Sequence, residues 1–471
     1  MTKKICVLLL AVLCMLPVFA VTVKAADNMI ENNETGIPDP VLYKKILGIL
    51  NKNETDKFTE QEAESIQKIS FTQYEDKVGT FRGIGYLKNL ADLKVFEITT
   101  ENLEEIATGV PNLKRLAVRG YDTMYAYNFV EEDRRQINSL KTLENMKYLT
   151  YLDVSYNKLA GFDGIEGLNQ LETLLARGNQ FAGEGEIEKL DGLEKLAELD
   201  LSENNLSDVK GIRGLTNLKI LYLCRNRMRT LGEAAELKNL TVLDMSGNQL
   251  EDIDGIRNLK SLKNLWLSDN CLTNIVDIKY LKNLKELSVR DNKIESFPTF
   301  KVLRRLEYLD AENNELKFCP KLKKAKQLKT VRLSWNYLKK KDIKNSIPKK
   351  FWSSTSLMDQ VWKEQKGNVK IKYNSPKKKK KITKNTKKIV GEVTIKNYKS
   401  SINFYIRLPD GKIHGKVQGW TEADHAGKNG KYKFTLRKLD LREYVGKEVE
   451  LRMKIGETLA DFTIDRFIVQ E

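Results

Sequence analysis

Only two histidines, His414 and His425, occur in the 471 residues, and the cysteines number five. Nucleophilic catalysis needs a Ser, Cys or Thr beside a base, so a His-assisted centre would have to form near the carboxyl end. Carboxylates are plentiful, yet a glycosidase pair also needs a cleft and one raised pKa, and nothing in their spacing singles out such a pair. His425 adjoins Asp424 and lies close to Glu422, a grouping that could hold a metal, although a turn carrying surface polar groups accounts for it more simply. Paired Cys/His spacing, a phosphate-cradling loop and a dinucleotide fingerprint are all missing from the sequence. The expectation is no enzyme, no metal and no cofactor.

The chemistry on offer is that of binding. Aromatic, arginine and carboxylate side chains recur at regular steps: Tyr151, Asp153, Tyr156, Leu175, Arg177, Asp200, Glu203, Tyr222, Arg225, Asp244, Trp266, Asp269, Arg290, Asp310, Glu312, Arg332 and Trp335. Aromatics mixed with Arg have the composition of protein-binding hot spots. Strand-borne aromatics also suit sugar stacking, so a glycan is the second candidate.

What makes these residues one surface is the pattern between them. Asn157, Asn179, Asn204, Asn226, Asn248, Asn270, Asn292, Asn314 and Asn336 follow at intervals of 22 residues, with one interval of 25. Each closes a phrase LxLxxNxL, as in LDVSYNKL from Leu152 and LDMSGNQL from Leu243. Alternation along a short strand sends its leucines inward and the flanking residues outward. The asparagine amide both donates and accepts, which suits it to the turn after the strand and to stapling coil to coil. Stacking closes the core, each buried leucine contributing roughly 1.5 to 3 kcal/mol. The phrase resembles the leucine-rich repeat signature, which implies an α/β solenoid of 22-residue coils with strands on its concave side. The residues above then stand as columns on that concave face.

Ahead of the coils, IPDPVLYKKILGIL spaces Leu42, Ile46, Ile49 and Leu50 as on a helix, and an alternating run follows at Ile69 and Phe71. This segment, 26–80, reads as a helical amino-terminal cap to repeats spanning 81–337. The I-P-D-P start, the T-E-x-E-A segment and the 22-residue coils resemble internalin-type bacterial surface proteins over Ile37 to Tyr337. Ser207 to Val209 and Glu251 to Ile253 keep that family's S/E-D-hydrophobic step, whereas Gly211 and Gly255 stand where it often has proline. The early coils are degenerate: aligning FEITTENL from Phe96 and LAVRGYDT from Leu116 puts Glu101 and Tyr121 at the asparagine position. An interruption bearing Tyr121, Tyr125, Tyr127 and Phe129 follows, either projecting beside the concave surface or covering irregular coils.

Residues 1–25 carry Lys3 and Lys4, an apolar run from Ile5 to Val23 and a small residue at Ala25, the features of a secretory signal peptide. An uncleaved anchor helix is the rival reading; Leu13 before Cys14 argues against lipid modification. Cleavage leaves no transmembrane segment and three cysteines, Cys224, Cys271 and Cys319, too few for a disulfide framework, which points to bacterial export. Cys224 falls on the concave register, and the other two read as small buried residues.

The net charge of +17 is unevenly placed. Lys317 to Lys399 holds 27 basic and 4 acidic residues, whereas Ala25 to Leu316 holds 38 and 49. The basic stretch culminates in Lys377, Lys378, Lys379, Lys380 and Lys381, inside a linker read at 367–388. Export argues against nucleic acid. Two readings stand: a self-repelling spacer, or a site for a polyanion such as a cell-wall polymer or anionic lipid surface.

Between repeats and linker, Phe351, Trp352, Leu357, Val361 and Trp362 read as a carboxyl-terminal cap over 338–366. Strand periodicity then marks 389–471 as an all-β sandwich, jelly-roll or immunoglobulin-like. Its phrases LDLREYVGKEVELR and FTIDRFIV are similar to the closing strands of bacterial galactose-binding-like jelly rolls. Trp420 beside Asp424 and His425 is either a ligand edge or core. The chain ends FIVQE with no LPxTG-like tail, so covalent wall attachment is not expected. The expected protein is secreted, extracellular or non-covalently retained at the surface, and binds a protein ligand, a host surface protein among the candidates, through its concave face. The alternative is a carbohydrate-binding accessory protein acting through the sandwich.

Overall fold

The computed structural model describes residues 28–75, 77–121, 136–182, 185–298, 303–348, 351, 369–375, 377, 382–395, 402–408, 413–414, 431–437, 439–455 and 460–471. The signal segment, Tyr125, Tyr127 and Phe129, Trp352, Leu357, Val361 and Trp362, Lys378 to Lys381, and Trp420, Glu422, Asp424 and His425 lie outside the described residues.

Two short antiparallel strands, β1 (Met29–Ile30) and β2 (Phe58–Thr59), bracket helix α1 (Pro40–Ile49). Pro40 suits the first helical turn because its missing N–H has no partner to lose there. Asp39 caps the helix, its Oδ1 accepting from the Leu42 N–H at 2.8 Å, while its Oδ2 accepts from the Gly79 N–H at 2.7 Å. One carboxylate therefore fixes both the helix start and the chain entering the coils. Leu42, Tyr43, Ile46 and Leu47 are buried against the open end of the core; Ile49, expected on that face, is exposed. Helix α2 (Glu60–Glu64) begins in a capping box between Thr59 and Glu62.

Twelve parallel strands then stack in chain order: β3 (Lys68–Ser70), β4 (Asp92–Phe96), β5 (Arg115–Arg119), β6 (Tyr151–Asp153), β7 (Thr173–Leu175), β8 (Glu198–Asp200), β9 (Ile220–Tyr222), β10 (Val242–Asp244), β11 (Asn264–Trp266), β12 (Glu286–Ser288), β13 (Tyr308–Asp310) and β14 (Thr330–Arg332). The sheet starts at Lys68, so cap and first coil overlap. Leu93 pairs with Leu116 and Leu116 with Leu152. The degenerate coil is thus in register from Leu93, which puts Ile98 at the asparagine position; Tyr121 holds that position in the next coil. Glu101 belongs instead to helix α3 (Thr100–Gly109), capped by Thr99 and Asn102.

The asparagines do what their amides suggested. Asn248 Nδ2 donates to Met245 O within its own coil and to Leu223 O of the preceding one, both at 2.9 Å, and its Oδ1 accepts from the Met228 N–H at 3.0 Å. All nine asparagines of the repeated phrase donate to a preceding carbonyl. All nine accept a preceding N–H as well.

A second device was not read from the pattern. The residue before each asparagine is left-handed: Tyr156, Gly178, Glu203, Arg225, Gly247, Asp269, Asp291, Asn313 and Trp335 have φ between 50° and 69°. Two are glycine and three are Asp or Asn, which tolerate this region, so Tyr156, Glu203, Arg225 and Trp335 are the ones that hold a conformation costing about 1 to 2 kcal/mol each. On the opposite side of the coils, Gly211 and Gly255 have φ of 94° and 84°. A proline, locked near −65°, cannot take that turn, and a Cβ at Gly211 would lie 2.9 Å from the Glu188 Cα. The departure from the internalin pattern is therefore a change of turn.

Helix α4 (Lys340–Ser346) and the buried Phe351 close the far end of the core. Beyond it lie β15 (Val369–Ser375), β16 (Lys388–Ile395), β17 (Ile402–Arg407), β18 (Ile413–His414), β19 (Lys431–Arg437), β20 (Glu448–Ile455) and β21 (Ala460–Ile468). They form two antiparallel sheets, β15-β16-β19 and β18-β17-β20-β21. Val393, Phe434 and Leu436 of one share a core with Phe404, Ile406, Leu451 and Phe467 of the other. Strand β15 falls inside the segment read as linker: VKIKY alternates apolar and lysine, and its lysines masked a strand.

Replacing Asn248 with Ala would strand Leu223 O, Met245 O and the Met228 N–H, at about 1 to 3 kcal/mol per unsatisfied group. We expect a loss of about 3 kcal/mol or more in urea unfolding. Asn248→Asp should fare no better, since an ionised carboxylate cannot donate to carbonyls.

Candidate ligand-binding face

In-register pairing aligns Asp153, Leu175, Asp200, Tyr222, Asp244, Trp266, Ser288, Asp310 and Arg332 as one column across the concave sheet. A neighbouring column runs Tyr151, Thr173, Glu198, Ile220, Val242, Asn264, Glu286, Tyr308 and Thr330. The columns are as expected, but three groups of their residues have different duties.

The aspartates also serve the scaffold. Oδ1 of Asp153, Asp200, Asp244 and Asp310 accepts from the backbone N–H two residues on, at 2.8 to 3.1 Å. Asp153 and Asp310 are buried and face Arg119 and Arg332 at 3.4 and 3.5 Å. These two, expected as free ligand groups, are structural, because a carboxylate in this position bridges the strand end. Asp200 and Asp244 remain partly exposed.

The arginines are largely engaged. Glu203 Oε1 accepts from Arg177 Nη2 at 2.9 Å and from Arg225 Nη1 at 2.7 Å. Arg290 lies 3.2 Å from Asp291 and 3.6 Å from Glu312. At the amino end, Arg115 sits 3.8 Å over the Tyr151 ring, and Tyr156 lies between Arg119 and Arg177 at 5.6 and 6.0 Å. At the other end Arg332 is exposed, 5.9 Å over the Tyr308 ring.

The third group meets the carboxyl-terminal sheets. Trp335, expected at the concave surface, is fully buried in their core. Arg407 pairs with Asp269 and Arg466 with Glu315; Arg452 Nη2 lies 3.4 Å from Asp291 Oδ1, and Lys293 lies 2.5 Å from Glu448. Burial pushes the Glu450 carboxyl up, but Arg466, Arg452 and Arg407 outweigh it and hold it at about 2. Asp269 and Trp335 are thus interface residues within the chain. Sequence reasoning placed them in the right columns but held no signal for a partner contributed by Arg407, Arg452 and Arg466.

What stays open is the middle. Leu175, Ile220, Tyr222, Val242 and Trp266, on the successive strands β7 to β11 with β8 giving Glu198 and Asp200, are all partly exposed. Among the described residues, Glu198, Asp200 and Asp244 make no ion pair within 4 Å. Burial raises the pKa of all three; Asp200 adds repulsion at Glu198 and Asp244, and Asp153 at Asp200, while Arg177 offsets the rise at both aspartates only in part. Burial likewise raises the Tyr222 hydroxyl and the thiol of Cys224. The result is an apolar and aromatic strip edged by poorly solvated carboxylates. Val242, which fills the gap between Tyr222 and Trp266, was not singled out because a valine in a strand reads as core.

Residues 216–258, 238–280 and 260–302 match the family model described as leucine-rich repeats (2 copies). Residues 216–302 are a leucine-rich repeat array. No curated protein matches the chain in sequence. Among solved structures, an internalin (inlF) from Listeria monocytogenes is similar over 65% of this chain and 85% of its own, at 24% identity and a TM-score of 0.57. A leucine-rich repeat protein of Leptospira interrogans is similar over 56% of this chain and 71% of its own, at 28% identity and a TM-score of 0.45. A second internalin of Listeria monocytogenes, internalin C2, covers 59% and 93% at 24% identity and a TM-score of 0.33. Leucine-rich repeats are protein-interaction scaffolds, and no catalytic family is indicated. Among the described residues, no helix is long and apolar enough to cross a membrane, and no group of three His, Cys, Asp or Glu is arranged to hold a metal.

Two outcomes follow from this geometry. Because the folded state holds Asp244 above its unfolded pKa, ionisation penalises folding at neutral pH, and the penalty fades as pH falls through the raised value to about 4. Asp244→Asn keeps the acceptor to Ser246 and should raise the melting temperature at neutral pH, with the gain lost in acid. Trp335→Ala should cost about 3 to 5 kcal/mol of docking and core energy, seen as faster proteolytic release of the carboxyl-terminal unit.

Proposed function

We propose that this chain is an exported binding protein that takes a protein ligand on the concave face of its repeats, at the strip centred on Tyr222 and Trp266. One observation carries the reading: on strands β7, β9, β10 and β11, large apolar side chains stand partly exposed where neither the repeat core nor the carboxyl-terminal sheets need them. A strip on a rigid parallel sheet loses little ordering entropy on association, and Trp and Tyr contribute most per residue. The likeness to the Listeria internalin supports the scaffold; the signal-like first 25 residues and the low cysteine count support bacterial export and an adhesion or interaction role, with a host protein as one candidate. Leu175, Asp200, Tyr222, Arg225, Asp244 and Trp266 form the centre of the site, with Tyr151, Tyr156, Arg177 and Glu203 toward one end and Arg290, Glu312 and Arg332 toward the other.

In this reading the carboxyl-terminal sheets are a β-sandwich module. Strands one, two and five in one sheet, with four, three, six and seven in the other, favour an immunoglobulin-like order over a jelly roll. Lys377 to Lys381, of which Lys377 is exposed, would help retain the protein on an anionic wall polymer.

Probing protein and glycan arrays with the full chain tests the proposal. A Tyr222→Glu/Trp266→Glu variant should lose a protein ligand by at least about thirtyfold, the scale of hot-spot residues, with unchanged thermal unfolding. Glycan binding that survives both substitutions, with no protein ligand found, would favour carbohydrate recognition by the sandwich instead.

A further inference from the structure

The last complete arc on the outer side of the repeats differs from those before it. In earlier coils, outward lysines pair across coils: Lys189 lies 2.7 Å from Asp163, and Lys210 lies 3.6 Å from Glu188. From Lys317 to Pro348 the chain holds eleven basic residues and a single acid, Asp342; Lys317, Lys329 and Arg332 pair back to Glu295, Glu307 and Asp310 of the preceding coil, which leaves the lysines between them in excess. Cys319, Pro320, Leu322, Ala325 and Leu328 root this arc in the core, so the lysines between them stand outward on a fixed frame. Lys321, Lys323 and Lys324 are exposed, as are Lys339 and Lys341 at the start of α4. None of these five makes an ion pair among the described residues. The Leu322 N–H donates to Ser346 O at 2.9 Å, which sets the arc and helix α4 side by side, so the lysines of both belong to one neighbourhood.

The same arc exposes Phe318 at 72%. An aromatic ring this open serves no packing purpose in the fold. We propose that this lysine face, with Phe318, is a docking surface for an anionic lipid bilayer. Lysine ammonium groups are compact, strongly hydrated point charges suited to a diffuse negative surface; a site built to grip individual phosphates would favour the bidentate fork of arginine. A soluble polyanion would satisfy the lysines but leave the ring in water, whereas a bilayer interface takes both. Attraction from several lysines plus one shallow ring gives reversible attachment, far short of a spanning helix.

Sedimentation of the full chain with vesicles tests this. At moderate salt, binding to vesicles of phosphatidylglycerol in phosphatidylcholine should exceed binding to phosphatidylcholine alone by about tenfold or more. The triple variant Lys321→Glu, Lys323→Glu, Lys324→Glu should bind on the order of a hundredfold more weakly. Phe318→Ser should weaken vesicle binding by about tenfold while leaving retention on immobilised polyphosphate unchanged. Vesicle binding indifferent to Phe318→Ser, or polyphosphate retention without vesicle binding, would overturn the proposal in favour of a soluble polyanion. Loss of vesicle binding only on changing Lys377 to Lys381 to Ser would overturn it as well.

Discussion

Each asparagine-bearing turn of the solenoid asks a buried amide to serve two coils at once. An asparagine amide has two donor hydrogens and an accepting oxygen, and here its donors reach its own turn and a preceding coil while the oxygen takes an N–H from that coil. No other side chain of that size supplies both polarities; an ionised aspartate lacks donors and a leucine lacks everything but volume. Because the backbone groups it satisfies lie in the interior, losing the amide exposes them to the full cost of an unmade hydrogen bond. The leucines give the array its driving force, but they would allow the coils to slide. The asparagine ladder fixes the register, and the register is what turns scattered aromatics into columns.

The register was legible because its two constraints, an inward leucine pair and a polar residue needing dual capacity, repeat at a period no loop would maintain. The degenerate coil around Leu93 was misaligned by three residues for the same reason: with Ile98 at the asparagine position, the marker was gone. The left-handed residue before each asparagine is signalled where it is Gly, Asp or Asn, but Tyr156, Glu203, Arg225 and Trp335 carry no signature of positive φ, and the surrounding coil imposes it. Strand β15 was hidden by its lysines, which a composition argument assigns to a spacer. The site was legible as columns, but which members of a column are free depends on contacts made across long stretches of chain. Trp335 is the clearest case. It shares its position in the phrase with exposed Arg225, yet lies in the core of sheets that begin more than a hydrophobic cap away.

Those sheets are held by a polar interface of unusual composition. Arg407, Arg452 and Arg466 meet Asp269, Asp291 and Glu315 from successive coils, and Arg452 is nearly fully buried. Buried ion pairs are weak sources of net stability, because desolvation offsets the attraction. Their value lies in orientation: three arginines on neighbouring strands fit three carboxylates at the coil spacing in one alignment, while Trp335 contributes the apolar contact. Such an interface holds the module to the strand-exit edge of the last coils, engages Asp269 and removes Trp335 from the surface available to a ligand.

The division of labour along the concave face follows. At the amino end arginines lie over Tyr151 and Tyr156, and the carboxyl end meets the module, so both ends have their charges partly answered within the chain. In the middle, Glu198, Asp200 and Asp244 are raised by burial with no arginine or lysine in contact among the described residues. Half-burial strips these carboxylates of water, and Arg177 offsets that only in part at Asp200 and Asp244, so a partner that brings a cation against them relieves the cost. An apolar anchor on the Tyr222 and Trp266 strip would exclude more water and strengthen that attraction. Under the proposed reading, the strip and its carboxylates would suit one kind of ligand, a polypeptide segment with an apolar side chain flanked by basic ones.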